Sequence, residues 1–252
     1  MSELTLPNSW GITTVANTCE VVRGVTFKKA DAIAYHEEGF IPVLRANAIQ
    51  DGKLYFNDLV FIPQDMVSER QLITKGDVVI AMSSGSKALV GKAAQSDSDH
   101  FAGFGAFCGI LRPNTALNKR YVGHFFQSKG YRNKVYELSA GVNINNLKPA
   151  HFSEIEIPLP PKNEQTRIAN KLDELLAQVD TIKARVDAVP AIIKRFRQSI
   201  LAAAVSGRLT EEWRDESDYV VAEGLEVPKS WKVLPAKDAC TKVQSGSTEM
   251  QK

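Results

Sequence analysis

Two patterns in this 252-residue chain have the side-chain types for chemistry. The first is Gly85-Ser-Lys-Ala-Leu-Val-Gly-Lys92, whose glycines and lysines are the ingredients of a phosphate-binding loop. Its spacing rejects that reading. Five residues separate the glycines where the motif has four, and Ala93 stands where a Ser or Thr would hold magnesium. The second pattern is a set of stretches that mix cations with small or forked polar side chains. Cations neutralise phosphates, and Arg, Lys, Asn and Gln can bond base edges in a groove.

Three stretches and one strand end carry this pattern. Lys28 and Lys29 follow a turn at Arg23-Gly24. Ser84, Ser86 and Lys87 form a small flexible loop whose backbone N–H groups can approach a phosphate. Lys119, Arg120, Lys129, Arg132 and Lys134 lead on to the polar run containing Asn143, Asn145 and Lys148. Residues 119–134 hold five cations and no carboxylate, a local imbalance that favours a polyanion partner. Arg45 and Asn47 sit where a predicted strand ends, a place for a groove-reading loop. For any single stretch, the competing reading is an ordinary solvated surface. With a net charge of only +2, a nucleic-acid surface needs its cations sorted onto one face.

Other chemistry is sparse. His36, His100, His124 and His151 are scattered without metal-ligand spacing. Cys19, Cys108 and Cys240 form neither a metal set nor a disulfide framework, and they suit a reducing, cytoplasmic compartment. The carboxylates form no constellation. The expectation is no catalytic residue, no metal and no cofactor. The first residues lack a basic, apolar leader, and no apolar run reaches the length of a membrane span, so no membrane partner is expected.

The elements that must position these residues are legible in part. Ile41–Arg45 reads as a strand followed by a turn at Gln50-Asp-Gly-Lys53. Val60–Ile62 is a short strand. Lys75-Gly-Asp77 turns into a strand at Val78–Met82, and Leu89–Ala93 and Phe104–Leu111 read as further strands. Asn118 caps a helical stretch that Gly130 divides in two. Ile155–Pro161 is an extended exit, because proline excludes helix from itself and its predecessor. Residues 1–160 thus form a β-rich domain with a few helices, an α/β or α+β architecture.

Asn163 then caps a long helical stretch. Its apolar residues are Ile168, Leu172, Leu175, Val179, Ile182, Val186, Val189, Ile193, Phe196 and Ile200, in alternating steps of four and three. Such a heptad seam calls for a partner helix along its length. Pro190 predicts two helices, about 163–188 and 190–205, with Gly207 as the terminating glycine. Residues 161–208 are therefore expected to be a helical spacer. Beyond Arg214 the chain reads as loop and then repeats itself. Leu6-Pro-Asn-Ser-Trp10 returns as Val227-Pro-Lys-Ser-Trp231, and Cys19 returns as Cys240 at the same offset. Residues 209–252 read as a linker and the first strand of a second copy of the N-terminal domain, the chain being the front half of a longer protein.

Several segments carry a family resemblance: Ile157-Pro-Leu-Pro-Pro161, then Asn163-Glu-Gln165, the heptad helix, and Ser199-Ile-Leu-Ala-Ala-Ala-Val-Ser-Gly-Arg-Leu-Thr210 with Trp213-Arg214. Together with Pro7-Asn-Ser-Trp10 and the Lys75-Gly-Asp77 turn, they resemble the specificity subunit of type I restriction–modification enzymes. The resemblance implies recognition domains that each read half of a bipartite double-stranded DNA target, alternating with helical spacers that pack antiparallel. It also implies methyltransferase subunits docked on this scaffold, restriction subunits that can join, and no catalytic centre in the subunit itself. A homodimer through antiparallel helices would satisfy the unpaired seam. The alternative is a coiled-coil scaffold or adaptor without DNA contact; the basic 119–134 stretch speaks against it.

Overall fold

The computed structural model describes residues 6–138, 145–214 and 219–241 and divides into two compact units, Met1–Ala177 and Gln178–Lys252. The first unit is built around the strand Val78–Ala81. An unbroken apolar run is stable as a strand only when both its faces are covered, and all four residues are buried. Val78 and Ile80 pack with Leu111, Val122, Phe126 and Tyr131. Val79 and Ala81 pack with Val22, Leu44, Phe104 and Ile110. The strand pairs antiparallel with Cys108–Pro113 and with Ala93–Gln95, and Cys19–Arg23 completes a four-stranded sheet. A second sheet sets Phe40–Leu44 between Gly103–Phe104, parallel, and Val60–Pro63, antiparallel. The Gln50–Lys53 turn closes a small hairpin, Ile49–Gln50 with Lys53–Leu54. Asp51 and Gly52 both adopt positive φ, 48° and 74°, as a turn matched to strand twist requires. The α+β expectation for this part of the chain holds.

Several element boundaries differ from the sequence reading. The strand expected at Leu89–Ala93 begins only at Ala93; Gly91, at φ 73°, forces a turn before it. Phe104–Leu111 is split by a tight turn closed by the Cys108 N–H on the Gly105 carbonyl at 2.8 Å. The two helices Lys119–Phe125 and Lys129–Leu138 exist, but the break precedes Gly130. Ser128 makes it by capping the second helix, its Oγ accepting the Tyr131 N–H at 3.2 Å. Asn118 does cap the first helix, accepting from the Tyr121 N–H.

Two polar groups hold this unit together from inside. Asp77 is fully buried. Its carboxylate accepts from Arg112 Nε at 2.9 Å and Nη2 at 2.8 Å, and from the Thr74 N–H at 2.8 Å. Arg112 also donates to the Leu72 carbonyl. The Lys75-Gly-Asp motif is therefore a structural corner. Gln165, also buried, accepts the Asn118 N–H at 2.9 Å and donates to the Pro160 carbonyl at 2.8 Å. It ties the exit segment, the long helix and the cap of the shorter one at a single point. The chain also enters and leaves this unit side by side. Gly11–Thr14 pairs antiparallel with Glu156–Leu159, in the register Gly11↔Leu159 to Thr14↔Glu156.

The long helix runs Lys162–Val205, unbroken. It starts one residue before Asn163, because the Pro161 carbonyl takes the N–H groups of Glu164 and Gln165. The expected division at Pro190 does not occur. Proline removes the N–H that would reach the Val186 carbonyl and crowds that carbonyl with its ring, but the turns on either side carry the helix through. Ala169 is buried and Ile168 packs on the domain core. From Leu175 onward the seam is exposed, with Val179 at 57%, Ile182 at 61% and Phe196 at 65%. Gly207, at φ 76°, ends the helix as expected.

In the second unit, the segment expected to be loop contains a hairpin, Tyr219–Ala222 with Leu225–Pro228. Its turn uses Glu223 and Gly224 at φ 51° and 78°. The internal repeat has local structural counterparts. The Trp10 N–H bonds the Pro7 carbonyl at 2.9 Å, and the Trp231 N–H bonds the Pro228 carbonyl at 2.9 Å. Five residues after each tryptophan a one-turn helix begins, Val15–Thr18 and Ala236–Ala239, each followed by its cysteine.

Candidate nucleic-acid interface

A cleft of about 890 Å³ opens on the first unit. Its walls come from four segments far apart in sequence: Val25–Phe27, Arg45–Asn47 with Asp58, Ser83–Gly85, and Gly105–Cys108. Each is placed by a specific local device. Gly24 lies against the Gly105 turn so closely that a Cβ there would stand 2.1 Å from the Gly105 carbonyl oxygen. The Val25 N–H bonds the Phe104 carbonyl at 2.7 Å. Arg45 caps a single 3-10 turn, Ala46–Ala48, that follows the Phe40–Leu44 strand, and Asn47 is the middle residue of that turn. The Phe107 carbonyl accepts the N–H groups of Met82 and Ser83, which fixes the turn presenting its ring, 68% exposed.

The sequence-predicted residues separate into groups. Arg45, Asn47 and Ser84 line the cleft together. Ser86 donates its N–H to Ser84 Oγ at 3.1 Å. Asn145 and Asn146 pair with Ser84 and Ser83 in a two-residue ladder, and the Leu147 N–H reaches the Met82 carbonyl. The asparagine run is thereby joined to a wall of the cleft; Asn143 falls outside the described residues. Lys28, Lys29 and Lys148 are exposed. Lys28 and Lys148 precede 3-10 turns, with their N–H groups on Asp31 and His151.

The cations of the two short helices are engaged differently. Arg132 donates to the carbonyls of Val90 and Ala88 at 2.8 and 2.9 Å, and Tyr131 Oη donates to the Gly91 carbonyl. Lys87 stacks over the Tyr136 ring at 3.5 Å. The Lys129–Leu138 helix therefore anchors the Ser83–Lys92 loop. Arg120 pairs with Asp173 and donates to Asn170 Oδ1, and His124 meets the same Asp173 at 2.7 Å. Lys119 Nζ donates to the Lys75 carbonyl, and Lys134 lies 3.8 Å from Glu137. The carboxylate that answers the 119–134 imbalance comes from the long helix, a contact that sequence-local charge counting does not see.

Sequence reasoning also missed Asp58 and Phe107. Asp58 Oδ1 lies 2.6 Å from Arg45 Nη2, and its Oδ2 lies 2.5 Å from Asn47 Nδ2. Its only sequence signal is an acid shortly after the predicted turn at Gln50–Lys53. Burial raises the thiols of Cys19 to about 11 and Cys108 to about 12, so neither is a nucleophile at neutral pH. Among the described residues, no three His, Cys, Asp or Glu side chains gather as a metal site, and no helix is long and apolar enough to cross a membrane. Chemically, the cleft offers aromatic and aliphatic walls with a few fixed forked groups, a combination suited to planar base edges.

Residues 7–191 match the family described as type I restriction modification DNA specificity domain. The chain is 52% identical over 215 residues to the EcoKI specificity subunit of Escherichia coli (strain K12), and 51% identical over 215 residues to the StySPI specificity subunit of Salmonella potsdam. Each match covers 85% of this chain and 46% of the relative, so the chain spans about half the length of the curated relatives it matches. Among solved structures, the HsdS subunit from Thermoanaerobacter tengcongensis superposes with TM-score 0.58 at 20% identity, over 81% of this chain and 46% of that one. A chain from a study of complex assembly and conformational transition in a type I R-M system gives TM-score 0.62 at 22% identity, over 81% and 47%. These structures share the fold. The match across residues 7–191 and the half-identical relatives together assign this chain to the type I restriction modification DNA specificity domain family.

Proposed function

We propose that this chain is a non-catalytic DNA sequence-recognition subunit of a cytoplasmic type I restriction–modification complex. Its first domain reads one half of a bipartite double-stranded target. The observation that carries this is the cleft in which Arg45, Asn47 and Ser84 converge from separate segments among apolar walls. Lys28, Lys29 and Lys148 supply exposed cations for backbone contacts. The exposed seam from Leu175 to Ile200 supports packing against a second helical region, either a downstream spacer or another copy of this chain arranged antiparallel. The opening at Val227–Cys240 supports a second recognition domain. Methyltransferase and restriction subunits would assemble on this scaffold and perform the chemistry.

Mapping methylation in a genome whose cells express the chain with its methyltransferase partner tests the DNA reading. A bipartite adenine-methylated motif is expected; methylation without sequence preference sinks the proposal. Sedimentation tests the seam. Ile182→Asp should abolish self-association or spacer packing, because an unpaired charge in an apolar seam costs several kcal/mol. Lys171→Asp, on the polar face, should change little. Equal behaviour of the two variants rules out the seam.

A further inference from the structure

Asp58 carries the wrong charge for its position. It lines a cleft proposed to receive DNA, a polyanion, so its carboxylate lowers affinity for DNA of every sequence. Fold stability does not account for it: the Arg45–Asp58 side chains are 45% and 64% exposed, and such solvated pairs contribute little to stability. Its geometry does. One carboxylate oxygen holds Arg45 and the other holds Asn47. The Asn47 carbonyl is in turn held by Gln50 Nε2 at 2.8 Å. Both forked side chains of the cleft are thus oriented by one acid eleven residues beyond Asn47, brought back by the Ile49–Leu54 hairpin. Reading a purine edge with an Arg or Asn fork demands a fixed plane, because both bonds must form together.

We infer that Asp58 is the specificity-determining positioning residue of this cleft. It fixes the reading planes of Arg45 and Asn47, and its charge rejects DNA that offers only phosphate. The inference rests on the DNA-reading proposal and deepens it. Attraction to the right bases and repulsion of the rest are separate sources of specificity, and here one side chain supplies both.

The test uses the full chain assembled with its methyltransferase subunits. The probes are a duplex library with a randomised central block and, for non-specific binding, a poly(dI-dC) duplex. Asp58→Asn keeps the shape and removes the charge. It should bind poly(dI-dC) about three- to tenfold tighter, and discrimination should fall about tenfold at two positions of the enriched motif. Its thermal midpoint should match that of the wild type. Asp58→Glu keeps the charge and moves it, so poly(dI-dC) affinity should stay unchanged while discrimination falls. Parallel loss of specific and non-specific affinity in Asp58→Asn overturns the inference. So does a new preferred base at a single position, which would make Asp58 itself the reader. A wild-type complex that enriches no motif overturns the DNA reading and this inference together, and the wild-type arm alone distinguishes that failure.

Discussion

Arg112–Asp77 and Arg45–Asp58 are the same ion pair in opposite settings. In the first, the carboxylate is fully buried and the guanidinium donates twice to it and once to a backbone carbonyl. In the second, both side chains are substantially exposed and the acid is shared with Asn47. In the first pair, loss of Arg112 would strand the Asp77 charge in the interior, and loss of Asp77 would leave a largely covered guanidinium without its carboxylate. The second pair can lose either member, because water replaces what is lost. Identical chemistry therefore serves the frame in one place and leaves donors available to a ligand in the other. Burial, rather than residue type, separates the two roles.

The comparison breaks most sharply at Asp77. Asp77→Ala should cost about 3–5 kcal/mol of stability, because it leaves Arg112 without its carboxylate; denaturant unfolding measures it, and a loss under about 1 kcal/mol defeats the distinction. Gln165→Ala should come next, at about 1–3 kcal/mol, from an orphaned Asn118 N–H and Pro160 carbonyl. Arg45→Ala should cost under about 1 kcal/mol in the same measurement while flattening sequence preference in the library selection. The mildest test concerns the thiols. At pH 8 a thiol reagent should modify exposed Cys240 quickly and leave Cys19 and Cys108 protected until unfolding. Both buried thiols keep their protons to about 11 and 12 in the folded chain, against 9.0 unfolded. Their contribution is intact below pH 9 and declines as pH rises from there towards 12, so alkaline melts should fall progressively.

The same contrast explains what the sequence disclosed. The central strand was legible because burial on both faces leaves an unbroken apolar run at Val78–Ala81, and the seam because period 3.5 survives from Ile168 to Ile200. The Asp51-Gly52 turn was legible because few residues tolerate positive φ. Pro190 misled, since local propensity against helix is outweighed by the turns on both sides of it. Arg132 was flagged as a cation, yet its donors close on the carbonyls of a loop some forty residues away; only the fold brings that loop near. The Gly24–Gly105 approach was hidden for the same reason, as was the convergence of Arg45, Asn47 and Ser84. Charge and composition report which residues can meet a polyanion, whereas long-range pairing decides which of them share a wall.

The ladder from Gly11↔Leu159 to Thr14↔Glu156 has a mechanical consequence. Everything between its two strands hangs from a socket one strand spacing wide, roughly 4.8 Å. A replacement sequence would have to bring its ends back to that spacing, present an Asn118-like cap to Gln165, answer Asp173 as Arg120 and His124 do, and cover Ile168 and Ala169. The segment between the two strands is thus held as one piece, its two ends side by side at the foot of the long helix.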